Sequence, residues 1–278
     1  MAGIRVITDG ASDLPAASCR ALGIDVVPLE VRIGAIGPER TRAMSAEEFW
    51  HLCAESSDLP ETSAPSPGDF QRAFLEARDA GCEGAVCITL SAELSATYQA
   101  AAAAANIGPE FPVEVIDSRT VTMAQGLIVL EAADLTRSGG DLDAVARVAR
   151  AAIDKVVAIG ALDTLDNLRR GGRIGSAQAF FGSLLSLKPI IVIRNGIVEG
   201  ESRQRTRRRS LEYIADKVAE LAPFRRLAVV HAAASDVEVL VDLVSRFHLR
   251  EEILVSHIGP VVGSHTGPGT VAICALRA

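Results

Sequence analysis

Aromatic residues are scarce in this 278-residue chain and make up only 4% of it. Hydrophobic residues make up 49% and charged residues 23%, a composition typical of globular proteins and not of disordered ones. The core must therefore consist mainly of Ala, Val, Leu and Ile. At about 100–200 residues per domain, the length predicts one large domain or two moderate ones.

Positive charge is also in short supply. The 28 Lys and Arg residues against 35 Asp and Glu residues give a net charge of −7. Nucleic acids and anionic membranes bind clustered positive charge, so neither is an expected partner.

Long apolar runs are missing too. The apolar run at 1–7 is too short for a secretion signal, and the longest stretch without Asp, Glu, Lys or Arg, 256–276, is interrupted by prolines and glycines. We expect a cytoplasmic protein without an integral membrane segment.

Several familiar chemical signatures are absent. The five cysteines are odd in number and form no CxxC, so neither a zinc site nor a disulfide framework is expected. The patterns GxxxxGK[ST], GxGxxG, HExxH and GxSxG do not occur. This argues against a nucleotide-binding enzyme, a zinc hydrolase and an α/β-hydrolase, and we expect no cofactor and no metal.

Strand and helix patterns alternate through the first half of the chain. Strands are predicted at 4–8, 24–31, 85–90 and 113–117, with a loop at 61–67. Helices are predicted to follow Pro15, to begin at the capping box of Ser45 with Glu48, and to run from Ser95 and Gly126. Another helix is predicted to begin after Ser66, with Ser66 as its cap and Pro67 at its first position. This alternation predicts an α/β fold whose N-terminal domain has a mostly parallel sheet.

The second half adds a hairpin pattern. Asn195-Gly196 between two apolar runs predicts a tight β-turn, and helices are expected at 163–170, 177–187, 206–221 and 237–247. Strands are expected at 156–162, 226–230, 253–258 and 270–274. We therefore predict two domains, an N-terminal α/β domain at 1–152 and a mixed α/β domain at 153–278.

Small polar residues are concentrated in four segments next to strand ends: 8–13, 62–68, 91–98 and 263–269. Ligands of open α/β sheets bind at the carboxyl ends of strands, and a helix N-terminus there favours an anion. Ser95 is predicted at such a position, although on local sequence Ser95 and Ser66 are better explained as helix caps. His265 fits a loop-building role and a site role equally well, and His231 is better explained as a core or edge residue.

A basic cluster stands out in this acidic chain: Arg203, Arg205 and 207–209, with Arg169, Arg170 and Arg173 earlier. Such a patch can recognise a phosphate or an acidic partner surface. A solvated helix face explains it about as well.

In order along the chain, these segments resemble the motifs of the DegV family. The matching segments are 7–15, 62–67 (TSAPSP against TSQPSP), 90–98 (LSAELSATY against LSSxLSGTY), 115–118, 165–174 with its GGRI, 187–190, 205–206 and 259–269 (GPVVGSHTGPG against GPxxGxHxGPG). The sequence departs from the family at Gly10, Ala64 and Ala96. Ala96 replaces a glycine and adds a methyl group beside the expected anion site.

The resemblance implies a fatty-acid-binding carrier, similar to the fatty-acid-binding subunit of bacterial fatty acid kinase. It implies a long-chain fatty acid such as palmitate, stearate or oleate in an apolar tunnel, with its carboxylate held by Thr62, Ser95 and His265. Ser63, Ser91, Ala96 and Thr266 are further candidates for that site. Arg173, Arg203 and Arg205 are where an acyl phosphate, a kinase subunit or a downstream acyltransferase is expected to be met.

Two other functions stay open at this point. One is a hydrolase or acyltransferase that uses Ser95 or Ser91 with His265, although no nucleophile elbow and no orienting acid are evident. The other is a regulatory protein that binds only a partner and keeps an unused pocket.

Overall fold

The computed structural model describes residues 3–56, 58–106, 110–181 and 187–278. In chain order its strands are β1 Ile4–Asp9, β2 Ile24–Val27, β3 Glu30–Arg32, β4 Glu61–Ser63, β5 Gly84–Thr89, β6 Val113–Asp117, β7 Val156–Ala161, β8 Lys188–Arg194, β9 Ile197–Gln204, β10 Phe224–His231, β11 Ile253–His257 and β12 Val271–Arg277. Its α-helices are α1 Ala16–Leu22, α2 Pro38–Arg42, α3 Ala46–Glu55, α4 Pro67–Asp79, α5 Thr97–Ala104, α6 Met123–Arg137, α7 Leu142–Ile153, α8 Asp166–Arg170, α9 Ala177–Phe181, α10 Arg207–Ala219, α11 Val237–Val244 and α12 Pro260–Thr266.

The chain contacts define two compact units, 1–29 with 63–156 and 30–62 with 157–278. The sequence pattern led us to expect a division at 152/153, with 30–62 in the N-terminal part. The chain instead passes to the other unit after the break between β2 and β3, which the sequence had suggested were a single strand over 24–31. Pro28 lies in this break, and a proline cannot donate the backbone hydrogen bond that a continuing ladder requires.

The N-terminal unit contains a four-stranded parallel sheet in the order β2-β1-β5-β6. All six residues of β5 are buried, as expected for a parallel strand covered on both faces. Phe70 and Phe74 of α4 pack with Ala101 of α5 and the apolar side chains of the sheet in one core cluster. The predicted parallel sheet of the N-terminal part is confirmed.

The C-terminal unit contains a six-stranded mixed sheet in the order β11-β10-β12-β7-β8-β9. β10 and β11 are parallel, whereas β10–β12, β7–β8 and β8–β9 are antiparallel. The predicted hairpin joins β8 to β9, and its turn residues Asn195 and Gly196 have φ of 50° and 84°. Both turn residues need positive φ in this kind of hairpin, and Asn and Gly tolerate it best. Helices α10 and α11 supply much of the core of this unit.

Local signals located several elements correctly. Ser45 with Glu48 forms the predicted capping box of α3. The predicted cap Ser66 begins α4, where it forms a capping box with Asp69. The five cysteines form no disulfide. Of the helix predicted at 177–187, α9 accounts for 177–181, and residues 182–186 lie outside the described residues.

Three further features differ from the sequence analysis. The loop expected at 61–67 begins with strand β4, which pairs with β3. The glycine-rich loop expected at 263–269 is helical as far as Thr266, in α12. Helix α7 was not predicted, although Asp141 caps it and its apolar residues recur at helical spacing.

Candidate functional site

Two residues carried over from the family motifs meet in the C-terminal unit. The hydroxyl oxygen of Thr62, in β4, lies 2.8 Å from Nε2 of His265, in the last turn of α12. Both side chains are partly buried. The structure therefore brings together a hydroxyl and an imidazole that lie far apart in the sequence.

The short helix α12 is held in place by its neighbours and its ends. Pro260 begins it with the φ that a first helical turn requires, and Gly267 ends it with φ of 79°. The Asn167 side-chain amide donates a hydrogen bond of 3.2 Å to the carbonyl of Ser264. The Thr266 hydroxyl donates to the Val262 carbonyl of the same helix at 3.3 Å.

Two glycines allow close packing around His265. A Cβ atom on Gly171 would lie 2.4 Å from the imidazole Nδ1, and one on Gly263 would lie 2.6 Å from the ring of Trp50. Neither glycine has a positive φ, so contact and not backbone strain restricts both positions. The close contact explains why the residue beside the histidine, the first of the GGRI segment, is a glycine.

His265 is neutral near pH 7. Burial, with a smaller contribution from the nearby Arg173, lowers the pKa of its imidazole from 6.5 to about 4. Its Nδ1 is buried and has no hydrogen-bond partner among the described residues. The neutral ring holds one proton. With that proton on Nε2 the ring donates to Thr62, which leaves the Thr62 O–H free to donate to a ligand.

A cleft of about 610 Å³ opens at this pair within the C-terminal unit. Its charged lining comprises three arginines and two carboxylates: Arg32, Arg170, Arg173, Asp58 and Glu61. The guanidinium of Arg173 donates a hydrogen bond of 2.7 Å to the Gly171 carbonyl. Arg32 and Arg170 are exposed and form no ion pair with any described residue. The cleft thus offers positive charge in a protein of net charge −7.

Ser95 lies in the other unit, in the loop between β5 and α5. Its hydroxyl is 2.8 Å from the hydroxyl of Thr97, and its N–H donates to the Ser91 carbonyl at 3.2 Å. The expectation that Ser95 opens the helix was wrong: α5 begins at Thr97 after Ala96, and no side chain caps it. An uncapped helix N-terminus is a suitable place for an anion.

Two carboxylates, the buried Asp9 and the partly buried Asp117, hold the start of this loop. Asp9 accepts from the N–H of Leu90 at 2.7 Å, and Asp117 accepts from the N–H of Ala92 at 3.2 Å. Ser91 is fully buried, and its hydroxyl accepts from the N–H of Glu93 at 3.2 Å. Ser63, another candidate, is exposed at the end of β4.

The basic cluster does not act as one patch. Arg207 forms a bidentate ion pair with Asp236 at 2.8 and 2.9 Å, and Arg208 pairs with Glu212. Arg203 lies over the ring of Phe180, with 4.9 Å between the guanidinium carbon and the ring centroid. Arg205 is exposed and makes no ion pair within the described part of the chain.

Arg32, Asn167 and Gly171 are among the cleft residues that the sequence analysis did not identify as site residues. The sequence did contain a signal for Gly171, the double glycine after a short helix. The sequence analysis interpreted it only as the end of that helix, whereas in the structure Gly171 also leaves room for the His265 ring. Arg32 had no local signal, because only the folding of 30–62 onto the C-terminal unit places it at the cleft.

The comparisons with known proteins agree with the motifs. A family model described as DegV, an uncharacterised protein family, matches residues 3–278. The chain belongs to the DegV family. A DegV domain-containing protein of Streptomyces coelicolor is 37% identical over 275 residues, which cover 97% of each chain.

Solved DegV structures share the fold over almost the whole chain. A DegV family protein from Thermus thermophilus is 33% identical with a TM-score of 0.88, over 99% of this chain and 100% of that one. DegV from Bacillus subtilis is 28% identical with a TM-score of 0.85, over 100% of both chains. Both structures are described as fatty acid binding. Among the described residues of the present chain, no helix is long and apolar enough to cross a membrane.

Proposed function

We propose that this DegV protein binds a long-chain fatty acid and that Thr62 and His265 hold the carboxylate. The hydrogen-bonded pair of a hydroxyl and a neutral imidazole carries the proposal. A carboxylate only accepts hydrogen bonds, and this pair can offer an O–H or N–H donor without adding a second buried charge. The fatty acid binding described for the Thermus and Bacillus relatives supports it.

Ser95 is proposed as a further carboxylate ligand on the strength of its motif. The uncapped start of α5 supports this assignment, since free helical N–H groups favour an anion. Backbone N–H of Ala96 can assist in the same way. The methyl group of Ala96, where the family has glycine, is expected to affect head-group position or chain choice.

The acyl chain is proposed to lie in an apolar tunnel, as the resemblance to the DegV family implies. Burying one CH₂ contributes about 0.8 kcal/mol, so a dozen or more methylenes of palmitate, stearate or oleate contribute roughly 10 kcal/mol before losses. The chain therefore supplies most of the affinity, and the polar residues fix the orientation of the carboxyl group.

We further propose that the bound carboxyl group is presented to a partner kinase. In that reaction a carboxylate oxygen attacks the γ-phosphorus of ATP, and acyl phosphate and ADP are formed. This chain contains no GxxxxGK[ST], which fits ATP being held by another subunit. Arg173 at the cleft, the exposed Arg205 and Arg203 are proposed to meet the phosphate or the partner.

The alternative of a Ser/His hydrolase or acyltransferase gains no support from the geometry. In such enzymes an acid orients the histidine, and the histidine contacts the nucleophile. Here no described carboxylate accepts from Nδ1 of His265, and the hydroxyl at Nε2 belongs to Thr62. The hydroxyl of Ser95 contacts Thr97.

Calorimetric titration with oleate tests the proposed ligands. Thr62→Val and His265→Gln should each weaken oleate binding while leaving the fold intact. Thr136→Val and His248→Gln are matched controls, because the Thr136 hydroxyl bonds its own helix at Ala132 and His248 lies beside Glu252. Equal affinities for all four variants and the wild type would remove Thr62 and His265 from the site. Ester hydrolysis that depends on Ser95 would favour the enzyme alternative.

A further inference from the structure

The two large sheets have four edge strands, β2, β6, β9 and β11. An edge strand presents unpaired N–H and C=O groups, and a charged residue in the strand commonly prevents pairing with another chain. β2 contains Asp25, β6 contains Glu114, and β9 contains Glu199, Glu201 and Arg203. β11, with the sequence ILVSH, contains no Asp, Glu, Lys, Arg or Pro.

The side chains of β11 are apolar and open to solvent. Leu254 and Val255 are 38% and 45% exposed, and as neighbours in a strand they point to opposite faces of the sheet. Leu249 and Val239 are also strongly exposed, and Arg250 links their surroundings by ion-pairing with Glu238 of α11. Of the six exposed large hydrophobic residues in the described chain, two therefore lie in β11 itself, and Leu249 lies four residues before it.

The residues flanking β11 favour a second copy of the same strand in the antiparallel direction, because this direction keeps the acidic ends of the two strands apart. In a pair centred on Val255, Ile253 of one copy lies opposite His257 of the other, and Leu254 lies opposite Ser256. The acidic end of each strand, Glu251 and Glu252, then lies beside His257 of the other copy. A parallel pair would instead place Glu252 beside Glu252 and His257 beside His257.

We propose that β11 is a self-association edge through which two copies of this chain pair antiparallel and join their six-stranded sheets across a twofold axis. The pairing closes at two copies, because the opposite edge strand, β9, carries charged residues that oppose further addition. The proposal is independent of the fatty acid and of the kinase partner.

The contact is small. A five-residue strand pair with a few flanking side chains buries less than the roughly 1,200–2,000 Å² of stable interfaces. The dimer should therefore be reversible, with a dissociation constant in the micromolar range or weaker.

Sedimentation velocity over loadings from low micromolar to near-millimolar tests the proposal. The wild type should shift with concentration from the 29.2 kDa monomer to a species of twice that mass. Val255→Lys places like charges across the twofold axis and should stay monomeric at every loading. Val26→Lys is the matched control, an exposed valine on the edge strand β2, and should behave like the wild type. Circular dichroism melts establish that both variants fold.

A mixing experiment separates edge pairing from a general loss of association. Val255→Glu alone should also be monomeric, but an equimolar mixture with Val255→Lys should recover the dimer, because opposite charges then meet at the twofold axis. A wild type that stays monomeric or forms species larger than a dimer would overturn the proposal. So would equal loss of dimer in Val26→Lys and Val255→Lys, or a mixture that stays monomeric.

Discussion

The imidazole Nε2 of His265 lies 2.8 Å from the hydroxyl oxygen of Thr62, although 203 positions separate the two residues in the chain. They meet because 30–62 folds with the C-terminal unit and not with the N-terminal sheet. The same segment brings Arg32 to the cleft at this pair.

Thr62→Val should weaken fatty acid binding without unfolding the protein. A hydrogen bond to a charged group is worth about 1.5–3 kcal/mol, so the affinity for oleate should fall roughly tenfold or more. The loss of the bond to His265 should lower the free energy of unfolding by only about 1 kcal/mol. Calorimetry and urea unfolding measure the two effects. Unchanged oleate affinity in a folded variant would contradict the assignment.

His265 makes stability rise with pH between its two pKa values. Because the folded-state pKa is about 4 and the usual value is 6.5, the unfolded chain takes up this proton first as the pH falls. Acidification through this window should cost up to about 3 kcal/mol of stability, at 1.36 kcal/mol per pKa unit. Urea unfolding should show this loss in the wild type and a smaller one in His265→Gln. Equal pH dependence in both proteins would mean that His265 is not held neutral.

Asp9 has the opposite effect on the pH dependence of stability. Burial raises the pKa of its carboxyl from 3.8 to about 6, against the hydrogen bonds from the N–H groups of Leu90 and Ala11. The folded state therefore holds the proton more tightly, and stability should fall by up to about 3 kcal/mol as the pH rises from about 4 to about 6.

Asp9→Asn removes this titration and should lose that part of the pH dependence. It also leaves one backbone N–H without its acceptor, a cost of about 1–3 kcal/mol at every pH. Urea midpoints at several pH values separate the two effects, with the exposed Asp79→Asn as the control. A slope that survives in Asp9→Asn would show that another group causes it.

Gly171→Ala should disturb the site through contact alone. The added Cβ would lie 2.4 Å from Nδ1 of His265 and 3.0 Å from the Asn167 carbonyl, so the ring must shift from its position at Thr62. Oleate affinity should fall at least as far as in His265→Gln. Gly37→Ala is the control, since its Cβ meets nothing within 4 Å. If calorimetry gives Gly171→Ala the wild-type affinity, the packing does not position the histidine.

Local signals made part of this fold predictable. The Asn195-Gly196 turn requires positive φ at two positions, and the capping boxes at Ser45 and Ser66 satisfy their own helix N-termini. Signals of this kind depend on only a few neighbouring residues, so they can be recognised in the sequence without knowledge of the tertiary structure.

Tertiary contacts determine what the sequence could not show. The residues of α12, with two valines, a glycine and a threonine, have weak helix propensity, and packing against Trp50 and Asn167 stabilises the helix. Likewise, no spacing in the sequence pairs Thr62 with His265. Only the resemblance to the DegV family identified both residues, and it did not predict the hydrogen bond between them.

Native mass spectrometry of the purified protein, before and after organic extraction, tests the central claim most directly. We expect an excess mass of one long-chain fatty acid over the 29.2 kDa chain, lost on extraction and recovered in the extract. Added palmitate or oleate should restore that mass. A protein that carries no lipid and refuses both fatty acids would contradict the account and favour a protein that binds only a partner.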